Sequence, residues 1–265
     1  MTEPSGLLGW LEAEPGVVTG PRPPGTVTLA DLADPLENSR IVDRLTPLAG
    51  TRRKAALTAI HYGVSIVVNS LVGPLALDHV VLIATADQLG VTIRDDESWA
   101  SFWVGAVESV DHSNVAASAG QMAVELLQPV IAASRRAGRV GARGANTIAL
   151  DALYAGCRRL ERVAGPSRSP GWIDEFLAEA GYPMDLPQRL VVVHPDDGSA
   201  VELPIPTMCC VLSNVPSCHA CPTCPLHPED EGLVIVEDFL RSLDDDGFRY
   251  VTGRARSVTA APGTD

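Results

Sequence analysis

Two stretches decide the fold of this chain, QMAVELLQPVIAASRRAG at 121–138 and NTIALDALYAGCRRLERVAG at 146–165. Apolar residues recur in both at intervals of three and four positions, which is the spacing of one face of an α-helix. A short glycine-rich connection, RRAGRVGARGAN, separates them. Such a connection predicts two neighbouring helices that pack against each other, so the body of the protein is expected to be mostly helical.

The flanking sequence predicts further helices and short strands. Alanine-rich spacing and a β-branched run predict a helix over 52–71, and Pro74 is expected to end it. Val, Ile, Trp and Phe between turn-forming residues predict short strands in the middle of the chain, with a hairpin there. The fold class predicted is α+β, a mostly helical body with short antiparallel strands and a C-terminal cysteine-rich cluster-binding loop. The remaining predicted elements are strands within 79–86 and 91–110, a helix at 171–181, a strand pair within 189–203 and a helix at 231–247.

The predicted organisation has four parts. Proline, glycine and acidic residues dominate the beginning of the chain and predict an irregular segment there. The cysteines gather near the other end and define a segment of their own. The parts are an irregular N-terminal segment (1–40), a mixed α+β body (41–206), an iron–sulfur cluster-binding segment (207–228) and a C-terminal helix and tail (229–265).

Bulk composition excludes several classes of function. The chain has 265 residues, 46% of them hydrophobic, which is enough for a sizeable core. Its net charge of -13 disfavours nucleic acid as the main partner, because phosphate binding needs a basic face. The first residues do not resemble a secretory signal, and the longest apolar stretch, 63–77, is interrupted and too short to span a bilayer. No transmembrane segment and a cytoplasmic location are therefore expected.

Five of the six cysteines fall in one short segment, TMCCVLSNVPSCHACPTCPLHP. In a reducing compartment, clustered cysteines are more often metal ligands or redox groups than structural disulfides. Thiolates brought together in this way select zinc, cuprous copper or an iron–sulfur cluster. The five are Cys209, Cys210, Cys218, Cys221 and Cys224.

The spacing Cys209-Cys210-x10-Cys221-x2-Cys224 resembles the C-terminal motif of the FhuF family of ferric-siderophore reductases. The resemblance covers 209–226 and implies that these four cysteines hold a 2Fe-2S cluster. It further implies one-electron reduction of siderophore-bound ferric iron, with release of ferrous iron in the cytoplasm. A fainter likeness is Gly144-Ala145-Asn146, which stands where the family often has a tryptophan, a glycine and an asparagine at the head of a helix.

Three alternatives remain open from the sequence. Cys218-x2-Cys221-x2-Cys224-Pro225 also looks like part of a bacterial 4Fe-4S run, with a fourth ligand from the vicinal pair. Four cysteines can instead hold a structural zinc ion, which would make the chain a zinc-stapled binding protein. A cluster could also serve an electron-transfer partner protein that has no substrate of its own.

The electron donor is expected to be a separate protein. No G-x-G-x-x-G opens a helix after a predicted strand, so a dinucleotide-binding domain within the chain is unsupported. A ferredoxin or a flavin- or NAD(P)H-dependent reductase would then supply the electrons. The ferric siderophore is the expected small-molecule partner.

Other chemically interesting residues have plainer interpretations. Cys157 lies on a helical pattern and is expected to be a buried core residue. Trp99, Phe102 and Trp103 are expected to be core rather than the wall of a ligand pocket. Singly placed histidines, such as His61, are expected to be structural. The basic run of Arg135, Arg136, Arg139 and Arg143 is either a solvated helix connection or a site for an anionic cofactor or partner.

Overall fold

The computed structural model describes most of the helical body and the elements on either side of the cysteine segment. The predicted α+β class is confirmed, with long helices and short, mainly antiparallel strands. The described ranges are 17–73, 81–93, 99–110, 115–164, 171–182, 190–194, 200–205 and 229–243.

The described residues form seven α-helices and eight strands. A π-helical turn, Val68–Val72, continues α3 without a break. The helices are α1 (Leu29–Ala33), α2 (Pro35–Ala49), α3 (Arg52–Val67), α4 (Val115–Gly138), α5 (Ala142–Ala164), α6 (Trp172–Glu179) and α7 (Glu229–Ser242). The strands are β1 (Val17–Thr19), β2 (Thr26–Thr28), β3 (Val81–Ile83), β4 (Leu89–Ile93), β5 (Trp99–Val104), β6 (Glu108–Val110), β7 (Leu190–Val193) and β8 (Val201–Pro204).

Helix α3 is the centre of the body. Twelve of its residues are buried, on all sides of the helix, which is the pattern of a helix surrounded by other elements. It packs against α2, α4 and α5, and α4 packs in turn against α1, α2 and α6. The segment Arg52–Val72 is long and apolar enough to cross a membrane, but 94% of its apolar window is buried inside the body, as in the core of a soluble protein.

Four strands form a small mixed sheet against these helices. Their order is β1-β5-β4-β2, with β1 parallel to β5 and the other pairs antiparallel. Gly90 of β4 lies so close to β2 that a Cβ atom there would be 2.9 Å from the carbonyl oxygen of Val27. The predicted hairpin of the middle region is thus confirmed as β4–β5, and β3 pairs with β6 in a second, two-stranded sheet.

The predicted irregular segment 1–40 is wrong for residues 17–40, which form β1, β2, α1 and the start of α2. The Pro- and Gly-rich residues are the turn between two strands. Thr28 and Asp31 then form a reciprocal capping box that begins α1, and Asp34 caps α2 directly before a proline at its first position. The predicted boundary at 40/41 falls inside α2, and the boundary at 206/207 lies outside the described residues.

Within the described residues, the other helix and strand predictions are confirmed; Pro74 and the end of the predicted 231–247 helix, residues 244–247, lie outside them. Periodicity predicted the paired helices α4 and α5, the central helix α3, and helices α6 and α7. The predicted strand pair is the antiparallel hairpin β7–β8. The prediction that α7 covers a cluster stays a prediction.

The described residues form two separate hydrophobic cores. The larger joins elements from β1 to α6. The smaller lies between the β7–β8 hairpin and α7. Its six buried residues are Val191, Val193, Val201, Leu203, Val236 and Leu240.

Candidate functional site

The predicted cluster ligands lie outside the described residues. Cys209, Cys210, Cys221 and Cys224, together with Cys218, fall between β8 and α7. Their assignment as ligands therefore stays a prediction. The structure describes the elements that carry the two ends of this segment.

Both flanking elements belong to the smaller core. Leu203 of β8 and Val236 and Leu240 of α7 are buried in it, and Ile205, the last described residue before the segment, packs against it. The cysteine segment is thus a connection between two elements that already share one core. Four thiolates in two pairs match the ligand number and type of a 2Fe-2S cluster, so the donor set fits that group chemically.

Cys157 is confirmed as a core residue. It lies on α5 with no exposed surface, within the larger core. Burial raises the pKa of its thiol far above the ordinary value, because the thiolate would lose its hydration. Among the residues that the structure describes, no three His, Cys, Asp or Glu side chains are grouped as metal ligands.

Two aromatic residues of β5, Phe102 and Trp103, are buried, as expected. The side chain of Trp99 lies outside those that the structure describes, so its prediction stays a prediction. Phe102 is buried in the larger core. Trp103 is 6% exposed, and its indole Nε1 donates a hydrogen bond to the carbonyl oxygen of Gly20, 2.9 Å away. That bond ties β5 to the turn after β1, so Trp103 positions the edge of the sheet.

The trio Gly144-Ala145-Asn146 does lie in the first turns of a helix, α5. The exposed Asn146 borders a shallow cavity of about 280 Å³ between α4, α5 and the end of α6. Apolar side chains such as Leu127 and Leu153 form part of its wall, and Gln128 and Glu179 add polar groups. The cavity can hold a small, largely apolar group with one amide or hydroxyl contact.

A tyrosine pair joins α5 to the residues after α6. The rings of Tyr154 and Tyr182 stack with their centroids 5.1 Å apart, and the guanidinium of Arg158 lies 5.1 Å from the Tyr154 centroid. Arg158 also forms ion pairs with Glu161 and Asp174. Burial, together with nearby negative charge, raises the pKa of Tyr182 to about 12. The Tyr182 hydroxyl is therefore uncharged near neutral pH. The ion pair of Arg158 with Asp174 links α5 to α6.

The basic run at the α4–α5 connection is exposed. Arg135 and Arg136 occupy the last turn of α4, Arg139 follows, and Arg143 lies in the first turn of α5. Arg139 has a φ of 52°, a left-handed conformation that usually holds glycine at a helix end. Arg136 and Arg139 line an open cavity of about 680 Å³ with Arg52 of α3.

Sequence reasoning missed the contribution of α3 to this basic region. Arg52, Arg53 and Lys54 begin α3, far from the arginine run in the chain, and they reach it only through the packing of α3 on α4. A usable signal was present in the sequence. Neither 44–77 nor 126–150 contains an aspartate or glutamate, although the chain has 33.

Comparison with known proteins does not assign the chain to a family. No protein-family model matches it, and no curated protein matches it.

Proposed function

We propose that this chain is a cytoplasmic iron–sulfur oxidoreductase that reduces ferric siderophores by one electron and releases ferrous iron. The observation that carries the proposal is the spacing Cys209-Cys210-x10-Cys221-x2-Cys224. Four soft ligands in two pairs suit a 2Fe-2S cluster. The FhuF family, which this spacing resembles, uses such a cluster for this reaction.

The reaction has a simple physical basis. Siderophores hold ferric iron through hard oxygen donors, which bind the larger and less charged ferrous ion much more weakly. A bound 2Fe-2S cluster would supply the single electron that this change requires. The chain's own residues set the conditions for that transfer: Ser213, Asn214 and backbone N–H groups of the segment are candidate donors to the sulfurs, whereas its prolines donate none.

The smaller core supports this role for the segment. Val236 and Leu240 of α7 pack with the β7–β8 hairpin, so the elements on both sides of the cysteines are already held together. A site that links two such elements couples ligand binding to their folding. A zinc ion bound by the same segment would couple to folding in the same way. The identity of the bound group therefore needs a direct measurement.

The first experiment is an anaerobic visible and EPR spectrum of the purified protein, before and after dithionite. Iron, zinc and sulfide are assayed on the same sample. Visible absorption that bleaches, with about two irons and two sulfides per chain, supports the proposal. A colourless protein that contains zinc instead would reduce the segment to a structural staple.

Single cysteine variants then test the ligand set. Cys224→Ser is expected to lose the cluster and all reduction of ferric chelates. Cys157→Ala is the matched control, because Cys157 lies in the larger core and should leave the cluster content unchanged. Cys218→Ser separates the cluster types: retention of the spectrum agrees with a 2Fe-2S site, and its loss indicates the 4Fe-4S arrangement.

A substrate panel separates an enzyme from an electron carrier. The cluster-loaded protein is reduced with dithionite, freed from excess reductant and mixed with hydroxamate, catecholate and carboxylate ferric chelates. Formation of ferrous iron is followed with a ferrous-specific chromophore. Reoxidation of the cluster by at least one chelate, with stoichiometric ferrous iron, is expected; failure with every chelate would contradict the reductase proposal and favour an electron-transfer protein.

A further inference from the structure

Positive charge is concentrated at one end of the helical body. The stretches 44–77 and 126–150 carry eight of the chain's 20 Lys and Arg residues and no Asp or Glu. They meet where the end of α4 packs on the start of α3, so closely that a Cβ atom on Gly138 would lie 3.0 Å from the carbonyl oxygen of Arg52. We call this region the basic corner. It consists of Arg52, Arg53, Lys54, Arg135, Arg136, Arg139 and Arg143.

Arg52 makes the basic corner rigid. Its Nε donates to the carbonyl oxygen of Ala137 at 2.7 Å, and its guanidinium binds the hydroxyl of Ser39, also at 2.7 Å, and the carboxylate of Asp43. One side chain thus ties α2, α3 and α4 together. Arg53 and Lys54 at the start of α3, and Arg135 and Arg136 at the end of α4, lie on the helix ends that this contact joins.

The six side chains of the basic corner other than that of Arg52 are exposed. Within the described part of the chain, none of them forms an ion pair or a side-chain hydrogen bond. By contrast, Arg22, Arg40, Arg158 and Arg241 each form an ion pair with a nearby carboxylate. The basic corner therefore offers charge that the fold itself does not neutralise.

Helix stability accounts for Arg135 and Arg136, which lie in the last turn of α4 where cations favour the helix dipole, but not for the other cations. Arg53 and Lys54 lie in the first turn of α3, which has no acidic residue, and cations there oppose the helix dipole. Arg139 occupies a left-handed position where a side chain is less favourable than glycine. Solubility does not account for the basic corner either, because cations reduce the magnitude of the net negative charge of this chain.

The surface is concave and bears three arginines. The cavity of about 680 Å³ is bordered by Pro35 and Ser39 of α2 and by Arg52, Arg136 and Arg139. Planar guanidinium groups recognise carboxylates by paired hydrogen bonds. A shallow basic surface of this kind suits the carboxylates of a folded partner better than an apolar small molecule.

We propose that the basic corner docks an acidic, ferredoxin-like one-electron carrier protein. The identity of the partner as an electron donor rests on the proposed function, whereas its acidity rests on the basic corner alone. A compact acidic protein fits better than nucleic acid, because all 33 acidic residues lie outside the two stretches and would repel a long polyanion. Complementary charge would mainly accelerate association.

The test compares two exposed arginines at the C-terminal ends of helices. Arg136 and Arg241 both lie in the last turn of a helix, α4 and α7 respectively, so reversal of either charge opposes the helix dipole, and reversal of Arg241 also breaks its ion pairs with Glu237 and Asp238. Binding of an oxidised plant-type ferredoxin to the full chain is measured by calorimetry at about 20 mM and about 300 mM salt. Arg136→Glu is expected to weaken binding about tenfold at low salt and much less at high salt, and Arg136→Glu/Arg139→Glu to weaken it further. Arg241→Glu is the control and is expected to change it less than about twofold.

The rate of cluster reduction by reduced ferredoxin, measured by stopped flow, should rank the variants in the same order. Reduction by dithionite, and reoxidation of the dithionite-reduced protein by a ferric chelate, need no docked ferredoxin and should be unchanged in Arg136→Glu, which separates loss of docking from loss of the proposed function. Equal weakening by Arg136→Glu and Arg241→Glu, absent salt dependence, or no binding at low salt would overturn the proposal. Binding of a single-stranded oligonucleotide that Arg136→Glu abolishes would also overturn it, in favour of nucleic acid.

Discussion

The two hydrophobic cores differ greatly in size. The larger includes elements from β1 to α6, with residues such as Tyr62 and Phe176 almost fully buried. The smaller has six buried aliphatic side chains from two short strands and one helix. Burial alone can stabilise the first, whereas a core as small as the second usually needs a metal, a disulfide or another added link. The cysteine segment connects β8 to α7, which is where such a link would act.

The largest effect is expected from Phe176→Ala in the larger core. Phe176 on α6 has no exposed surface. Its truncation leaves a cavity and should lower the free energy of unfolding by about 3–5 kcal/mol. Chemical denaturation measures the loss. The bound cluster, if present, should be retained below the transition, and a parallel loss of cluster would contradict the separation of the two cores.

Leu240→Ala tests the smaller core. Leu240 on α7 is fully buried against the β7–β8 hairpin, and its truncation should cost about 2–5 kcal/mol locally. Hydrogen exchange in α7 should accelerate, and the main unfolding transition should move little. The exposed Leu233 on the same helix provides the control Leu233→Ala. A main transition that shifts as far as in Phe176→Ala would show that the two cores unfold together.

The helices were predictable because each has a strong local signal. The three- and four-residue spacing in 121–138 and 146–165 reports one buried face, and α4 and α5 follow it. The elements between residues 17 and 40 were not predicted, because the prolines and glycines there were interpreted as an irregular segment rather than as a turn between two strands. The pairs Thr28/Asp31 and Asp34/Pro35 are helix starts that a closer reading could have used.

Long-range features were not predictable from local pattern. The parallel pairing of β1 with β5 joins Val17 to Phe102 across most of the body. The proximity of Arg52 to Arg135 and Arg136 likewise depends on how α3 packs against α4. Conversely, the cysteine spacing is visible only in the sequence, since those residues lie outside the described ranges.

A pH titration sharpens the comparison further, because His61 lies on the central helix α3. Burial lowers the pKa of its imidazole to about 4, since the charged ring would lose hydration. In the unfolded chain the pKa is about 6.5, so the unfolded state takes up the proton first as the pH falls. Stability is therefore complete above about pH 6.5 and should fall by about 2 kcal/mol between about pH 7 and pH 5.

The control for that titration is His61→Gln, which removes the ionisable ring. Its stability should change less over the same pH range, whatever its value at neutral pH. The slope should appear in the main transition and not in hydrogen exchange of α7. An unchanged slope in His61→Gln would assign the pH dependence to other groups.

The smallest effect is expected at the contact between α5 and the π-helical turn. A Cβ atom on Gly156 would lie 2.7 and 2.8 Å from the two methyl carbons of Val68, a stiff and buried side chain. Gly156→Ala should therefore cost about 1–3 kcal/mol in packing, partly offset by about 1 kcal/mol of helix propensity. Gly141→Ala is the control, since nothing lies within 4 Å of a Cβ atom there. The free energy of unfolding is measured by denaturation. A decrease in Gly156→Ala but not in Gly141→Ala would show that the close approach of Gly156 to Val68 stabilises the larger core. Equal changes in both variants would show that it does not.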